Sequence, residues 1–260
     1  TMSNINLPWL DPKDPNYPFP SANDALDSPE GLVAAGGDLS PVRLLRAYRQ
    51  GIFPWYEEGQ PILWWSPDPR GILYPDKFIV HKSLLRTLKR QPWNVTYDQA
   101  FQRVMTACAE PRSYSKGTWI TQDMINAYCH LHQLGHAHSV EVWDDSGGLI
   151  GGIYGISMGK LFFGESMFSR ETDASKVALL YLSAHLDVWG YQLLDTQLPS
   201  SHLNFLGGEA IPRYHYLSLL EQYTQQFPAD DAWENNFTLD IFIWVKSKAG
   251  SGADSTSSTR

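Results

Sequence analysis

Short apolar runs bounded by turn residues alternate along the chain with stretches whose apolar positions recur at helical spacing. LFFGESMF, residues 161–168, and YQLLDTQL, residues 191–198, are strand-like, because aromatic and branched residues fill them. Between them Thr172 or Asp173 is placed to cap a helix running to about Trp189, and Gly190 to end it. Strand, helix, strand is a crossover unit, which predicts parallel strands and a right-handed connection. Upstream, SVEVWDD, SGGLIGGIYGISMG and KLFFGESMF are separated by turn signals at Asp145-Ser146-Gly147-Gly148 and Met158-Gly159-Lys160. That pattern predicts an antiparallel meander feeding the crossover.

Residues 5–30 are rich in Pro, Asn and Asp and read as an extended leading segment. In GLVAAGGDLSPVRLLRAYRQGIFPWY, Asp38 or Ser40 can cap a helix with Pro41 in its first turn and Gly51 at its end. Leu44, Leu45 and Tyr48 give that helix an apolar face. ILWWSPDPRGIL, with Trp55, Trp64 and Trp65 nearby, reads as the hinge between a small N-terminal domain and a larger one, the tryptophans serving mainly as packing. Helices are predicted over HKSLLRTLKRQPW, about Tyr97 to Ala109, GTWITQDMINAYCHLHQLG and the stretch after Pro212, with FTLDIFIWV as a last strand. The fold class is α+β, a mixed sheet with helices packed on it. The predicted division is a small domain over 1–70, a catalytic domain over 71–246 and a disordered polar tail over 247–260.

Composition narrows the function. The chain has 260 residues, 43% of them hydrophobic, and a net charge of -8. No run of about 18 apolar residues and no signal-peptide pattern is present, so a membrane span is not expected. Cys108 and Cys129 make no disulfide framework, and a cytoplasmic enzyme, monomeric by default, is the expectation. The net charge argues against broad non-specific nucleic-acid binding. A local exception is the 81–93 stretch. Lys82, Arg86, Lys89 and Arg90 fall at i, i+4, i+7 and i+8 with no acid among them, so they form either a solvated face or a phosphate-binding strip.

Chemistry-bearing residues sit in the predicted strands. Glu165 interrupts the first, and Asp195 and Gln197 lie two apart in the second, on one face if the strand alternates regularly. Buried carboxylates are rare without partners, which makes these acids site candidates. Cys129, His130, His132, His136 and His138 match no common zinc spacing, so no metal is expected. MGKL is not a phosphate loop, GESMF lacks the second glycine of a nucleophile elbow, and neither cysteine has an activating setting. The helix between the two strands is apolar nearly all round. Leu179, Leu182 and Leu186 are either plain core or a stripe lining an apolar pocket.

Longer motifs then carry a resemblance. GLVAAGGDLSP, GIFPWY, WWSPDPR, GTWIT, LGHAHSVEVW, GGIYG, FFGESMFSR, ASK, LLDTQ and HLNFLGGEAIPR occur in this order from about Phe19 to Tyr216. Together they resemble the leucyl/phenylalanyl-tRNA–protein transferases. That resemblance implies an N-acyltransferase-like catalytic domain. The implied reaction moves Leu, Phe or Met from aminoacyl-tRNA to an N-terminal Arg or Lys, marking the protein for degradation, without a cofactor. It places Asp195 and Gln197 at the reacting centre, Glu165 at the acceptor's basic end, and Trp55 and Trp119 near the terminal adenosine. It also places Ile153, Leu179, Leu182 and Leu186 around the amino-acid side chain and the basic helix against the tRNA. An aminoacyl ester is already activated, so the enzyme must chiefly position an amine. In that scheme Asp195, through or beside Gln197, orients the amine or receives its proton, and Gln197 or backbone N–H groups stabilise the oxyanion. Two rivals are an acyl-CoA-dependent acetyltransferase, for which FSRETDASK lacks the glycine-rich turn, and a non-catalytic RNA-binding module.

Overall fold

The computed structural model describes residues 6–110, 120–234 and 239–251. A four-stranded sheet is built from β1 (Trp9–Leu10), β2 (Leu32–Gly36), β3 (Phe53–Pro54) and β4 (Leu63–Trp65) in the order β1-β2-β4-β3. Beside it runs α1 (Pro41–Arg49), whose first turn is capped by Ser40 Oγ accepting the Arg43 N–H at 3.3 Å. Gly51 follows at φ 79°, a left-handed position suited to glycine, as the sequence suggests.

A seven-stranded sheet follows. Its strands are β5 (Arg70–Leu73), β6 (Asn94–Tyr97), β7 (Ala137–Trp143), β8 (Leu149–Met158), β9 (Leu161–Ser169), β10 (Leu193–Gln197) and β11 (Glu209–Ile211), in the order β11-β5-β10-β9-β8-β7-β6. β7, β8 and β9 form the expected antiparallel meander. β9 and β10 are parallel neighbours joined through α5 (Ala174–Val188), the expected crossover. The other helices are α2 (Lys82–Arg90), α3 (Phe101–Ala109), α4 (Gln122–Gln133), α6 (Ser201–Phe205), α7 (Arg213–Thr224) and α8 (Ile241–Ser251).

Alternation along the strands feeds two cores. Tyr154, Ile156, Leu161 and Phe163 join one apolar cluster with residues of α1, α3, α4 and α7, such as Leu44, Val104, Met124 and Leu220. Ile150, Ile153 and Phe162 join another with α5 and α8, including Leu182 and Trp244. The sheet is therefore covered on both faces.

The structure corrects four local expectations. Tyr97 ends a strand, β6, and the next helix starts only at Phe101. Between them Asp98 stands at φ 56°, with its carboxylate accepting the Ser139 N–H, and turns the chain. The described residues of FTLDIFIWV do not form the expected strand: from Ile241 they belong to α8, with Asp240 Oδ1 accepting the Phe242 and Ile243 N–H groups. Ile241 and Trp244, one helical turn apart, are its buried residues. Because α8 runs to Ser251, residues 247–251 of the expected disordered tail are helical. Asp173 does occupy the cap position of α5 but does not cap it. It sits at φ 71°, and its carboxylate instead accepts from Thr87 Oγ1 on α2 at 2.8 Å.

Candidate active site

β9 and β10 pair as Leu193 with Leu161, Leu194 with Phe162 and Asp195 with Phe163, and the pairing stops there. At that point each strand is irregular. On β9, Ser166 faces Tyr154 and Gly164 faces Gly155, so Glu165 is an extra residue. On β10, Asp195 faces Ile72 and Gln197 faces Gly71, so Thr196 is extra, and Gln197 stands at φ 64°. Such bulges bend a strand and re-aim its side chains. They also end the regular alternation expected to hold Asp195 and Gln197 on one face. Gly155 opposite the first bulge has no alternative, since a Cβ would collide with the Phe163 carbonyl oxygen. Across the parted ends, Gln197 Nε2 donates to Glu165 Oε1 at 3.1 Å.

Asp195 is fully buried, and each of its oxygens accepts two hydrogen bonds. Oδ1 takes Arg70 Nε at 3.0 Å and the Gln197 N–H at 2.8 Å; Oδ2 takes Arg70 Nη2 and Tyr216 Oη, both at 2.7 Å. Arg70 is also buried, donates to the Gly51 carbonyl at 3.0 Å and lies over the Tyr216 ring. Burial works against the Arg70 charge, and Asp195, Tyr216 and Glu165 together more than offset it, so the guanidinium holds its proton more tightly than usual. The pair fixes the Gln197 backbone and ties β5, β10 and α7 to the end of α1.

Glu165 is 8% exposed, and among the described residues no cation forms an ion pair with it. Its Oε1 accepts from Tyr48 Oη at 2.5 Å, and Tyr48 Oη meets Tyr128 Oη at 2.5 Å. Burial pushes the Glu165 carboxyl up to about 7, against the opposing pull of the bonds from Tyr48 and Gln197. Its Oε2 makes no hydrogen bond among the described residues. No sequence signal singled out Arg70, Tyr128 or Tyr216, and Tyr48 read only as part of an apolar helix face.

The remaining candidates divide by place. Ile153, Leu179, Leu182 and Leu186 are all buried in the cluster on the α5 face, whereas Tyr48 and Tyr128 belong to the opposite face. The pairing of β9 with β10, which stops at Phe163 and Asp195, lies in the sheet between those faces. Trp55 is 41% exposed, with its ring 5.8 Å from that of Trp65. Trp64 is core, as expected of a packing tryptophan. Trp119 lies outside the described residues. Lys82, Arg86, Lys89 and Arg90 are exposed along α2, with Leu84 and Thr87 turned inward, and no ion pair involves the four cations among the described residues. Of the histidines, His138 Nδ1 contacts Asp98 Oδ2 at 2.7 Å with its ring stacked on Trp233, and His132 Nδ1 contacts the Ala137 carbonyl at 2.7 Å.

Comparison with known proteins fits this geometry to a chemistry. A sequence model described as leucyl/phenylalanyl-tRNA protein transferase matches residues 72–221, and one for the N-terminal domain of that enzyme matches residues 37–68. A transferase of this name from Methylococcus capsulatus is 51% identical over 229 residues, 88% of this chain and 97% of that protein. One from Stutzerimonas stutzeri is 52% identical over 225 residues, 86% of this chain and 98% of that protein. Among solved structures, a GCN5-related N-acetyltransferase from Kribbella flavida aligns over 66% of this chain and 61% of its own. Its TM-score of 0.37 and identity of 10% are too low to carry weight. The class is an aminoacyltransferase, which moves an aminoacyl group from tRNA to a protein. The chain belongs to the leucyl/phenylalanyl-tRNA–protein transferase family. Among the described residues no helix is long and apolar enough to cross a membrane.

Proposed function

We propose that this enzyme transfers Leu, Phe or Met from aminoacyl-tRNA to the N-terminal Arg or Lys of cytoplasmic proteins, marking them for degradation, and that it acts as a monomer without a cofactor. The observation that carries the reading is the end of the β9–β10 pairing, where Gln197 is held between the buried acids Asp195 and Glu165. An aminoacyl ester needs a placed amine rather than an enzyme nucleophile. The Asp195–Arg70 pair supplies the rigid placement. Because four donors surround Asp195, it holds Gln197 in position and does not receive the proton. Gln197 orients the amine and the ester carbonyl. Glu165 lends negative charge near a basic N-terminus, and Ile153, Leu179, Leu182 and Leu186 surround the amino-acid side chain. Trp55 and Trp119 meet the terminal adenosine, and the exposed face of α2 meets tRNA phosphates.

The direct test is transfer of labelled Leu from Leu-tRNA to a peptide beginning with Arg. Transfer to that peptide and not to one beginning with Glu is expected, and transfer from acetyl-CoA alone would overturn the reading. The α2 assignment has its own check. Arg86→Ala with Arg90→Ala removes two phosphate contacts at about 0.7 each for a single-stranded contact, so the salt slope of tRNA binding should fall by about 1.4. Transfer from a short aminoacyl-adenosine donor should be unchanged. Equal losses with both donors would return the strip to an ordinary solvated face.

A further inference from the structure

We propose that Glu165, through its open oxygen Oε2, accepts the proton that the attacking amine must lose. The inference rests on the aminoacyl-transfer reading above. Three polar side chains, Glu165, Asp195 and Gln197, meet where the pairing of β9 with β10 stops, and two are unsuited to the task. The Gln197 amide has no basicity at neutral pH. Asp195 has no open oxygen, because Arg70, Tyr216 and the Gln197 N–H occupy both. Glu165 differs: Oε1 is anchored by Tyr48 and Gln197, while Oε2 has no partner among the described residues. Glu165 is the extra residue of the β9 bulge, two residues past the last pair of β9 with β10.

The surroundings suit a group that changes charge in each turnover. Tyr128 and Tyr48 stand in series behind Oε1, two neutral hydroxyls that fix the carboxyl and solvate its anion without pairing it. Both tyrosines stay protonated, held high first by burial and then by the charge of Glu165. Asp195 raises the Glu165 value and Arg70 lowers it, both more weakly than burial does. The resulting value, about 7, lies within about one unit of an α-amino group at 7.7–8.0, where proton transfer is efficient in both directions.

The step balances. The neutral amine forms the N–C bond to the ester carbon as the carbonyl π pair moves to oxygen. The nitrogen, now positive, gives its proton to Oε2. The carbonyl re-forms, the bond to the ribose oxygen breaks, and Glu165 returns the proton to that oxygen. Ester and amine become amide and hydroxyl, and the carboxylate is regenerated.

Glu165→Gln keeps an acceptor for Tyr48 and cannot take a proton. The expected result is a kcat lower by about 10²–10⁴, with only a modest rise in the KM for an Arg peptide from the lost negative charge. A rise in that KM with kcat retained, and lost preference for Arg over citrulline at the first position, would overturn the proposal and make Glu165 only a receptor for the basic side chain. A second measurement needs no variant: the wild-type pH profile with two acceptors whose terminal amines differ in basicity. A limb near pH 7 that stays fixed while the amine's limb moves is the expected outcome, and a profile in which every limb moves would overturn it. Failure of the wild type to transfer Leu at all would count against the function, not against Glu165.

Discussion

Asp195 and Glu165 lie on neighbouring parallel strands, both are buried, and both touch Gln197. Their partners differ in kind. Asp195 is matched by a buried guanidinium and has two donors on each oxygen. Glu165 has only a hydroxyl and an amide, both on one oxygen. A buried acid matched by a guanidinium and donors on both oxygens serves as framework. Among the described residues Glu165 has no such cation beside it, and burial raises its carboxyl to about 7 against the pull of its neutral donors. The end of one strand pairing thus holds a carboxylate that sets geometry and a second that can exchange a proton.

Removing the cation attacks that contrast most strongly. Arg70→Met leaves Asp195 buried without its counter-charge, and breaking a buried pair in this way costs about 3–5 kcal/mol. Transfer should be lost with the stability, and Arg70→Met combined with Asp195→Asn should recover part of the stability. Urea unfolding of the single and double variants checks this. A loss below about 1 kcal/mol for Arg70→Met, the level of an exposed pair, would mean Asp195 is not held as described.

A smaller effect is expected on the Glu165 side. Tyr48→Phe removes a hydrogen bond that favours the ionised carboxylate and leaves Tyr128 without its hydroxyl partner. The stability loss should be about 1–3 kcal/mol. More diagnostic is the pH profile: the fixed limb near 7 should move to higher pH, because the ionised form has lost a donor. A limb that does not move would show that Tyr48 anchors the carboxyl without tuning it.

The sequence was informative where local patterning decides structure. The meander, the crossover, α5 with Gly190 behind it, and α2 with its four cations all follow from period and turn residues. The polar intrusions Glu165, Asp195 and Gln197 also stood out. Their partners did not, because Arg70, Tyr48, Tyr128 and Tyr216 arrive from β5, α1, α4 and α7, far away in the chain. The bulges were equally hidden: GES and DTQ read as regular strand, and only pairing with β8 and β5 shows the extra residue. FTLDIFIWV failed because a short apolar run fits both periods. Asp240 as a cap and the spacing of Ile241 and Trp244 decide for a helix.

Glu141 on β7 supplies the finest test, because it shares one property with Glu165 and lacks the other. Burial pushes its carboxyl up to about 7 as well, against hydrogen bonds from Ser139, Thr96 and the Gln99 N–H. Unlike Glu165 it has both oxygens occupied, Oε1 by Thr96 and Gln99 and Oε2 by Ser139. A carboxyl whose folded value exceeds its unfolded value binds more protons folded than unfolded between the two. Its contribution to stability is therefore complete below an unfolded value of about 4.3, declines as pH rises through 7, and is level above that. Glu141 and Glu165 should both make the wild type less stable at pH 8 than at pH 5. Glu141→Gln removes one of the two shares, so the curve of melting temperature against pH should flatten without becoming level. Transfer activity and its limb near pH 7 should stay where they are. If that limb moved or vanished, proton exchange would not belong to the open oxygen of Glu165, and the distinction between the two raised acids would fail.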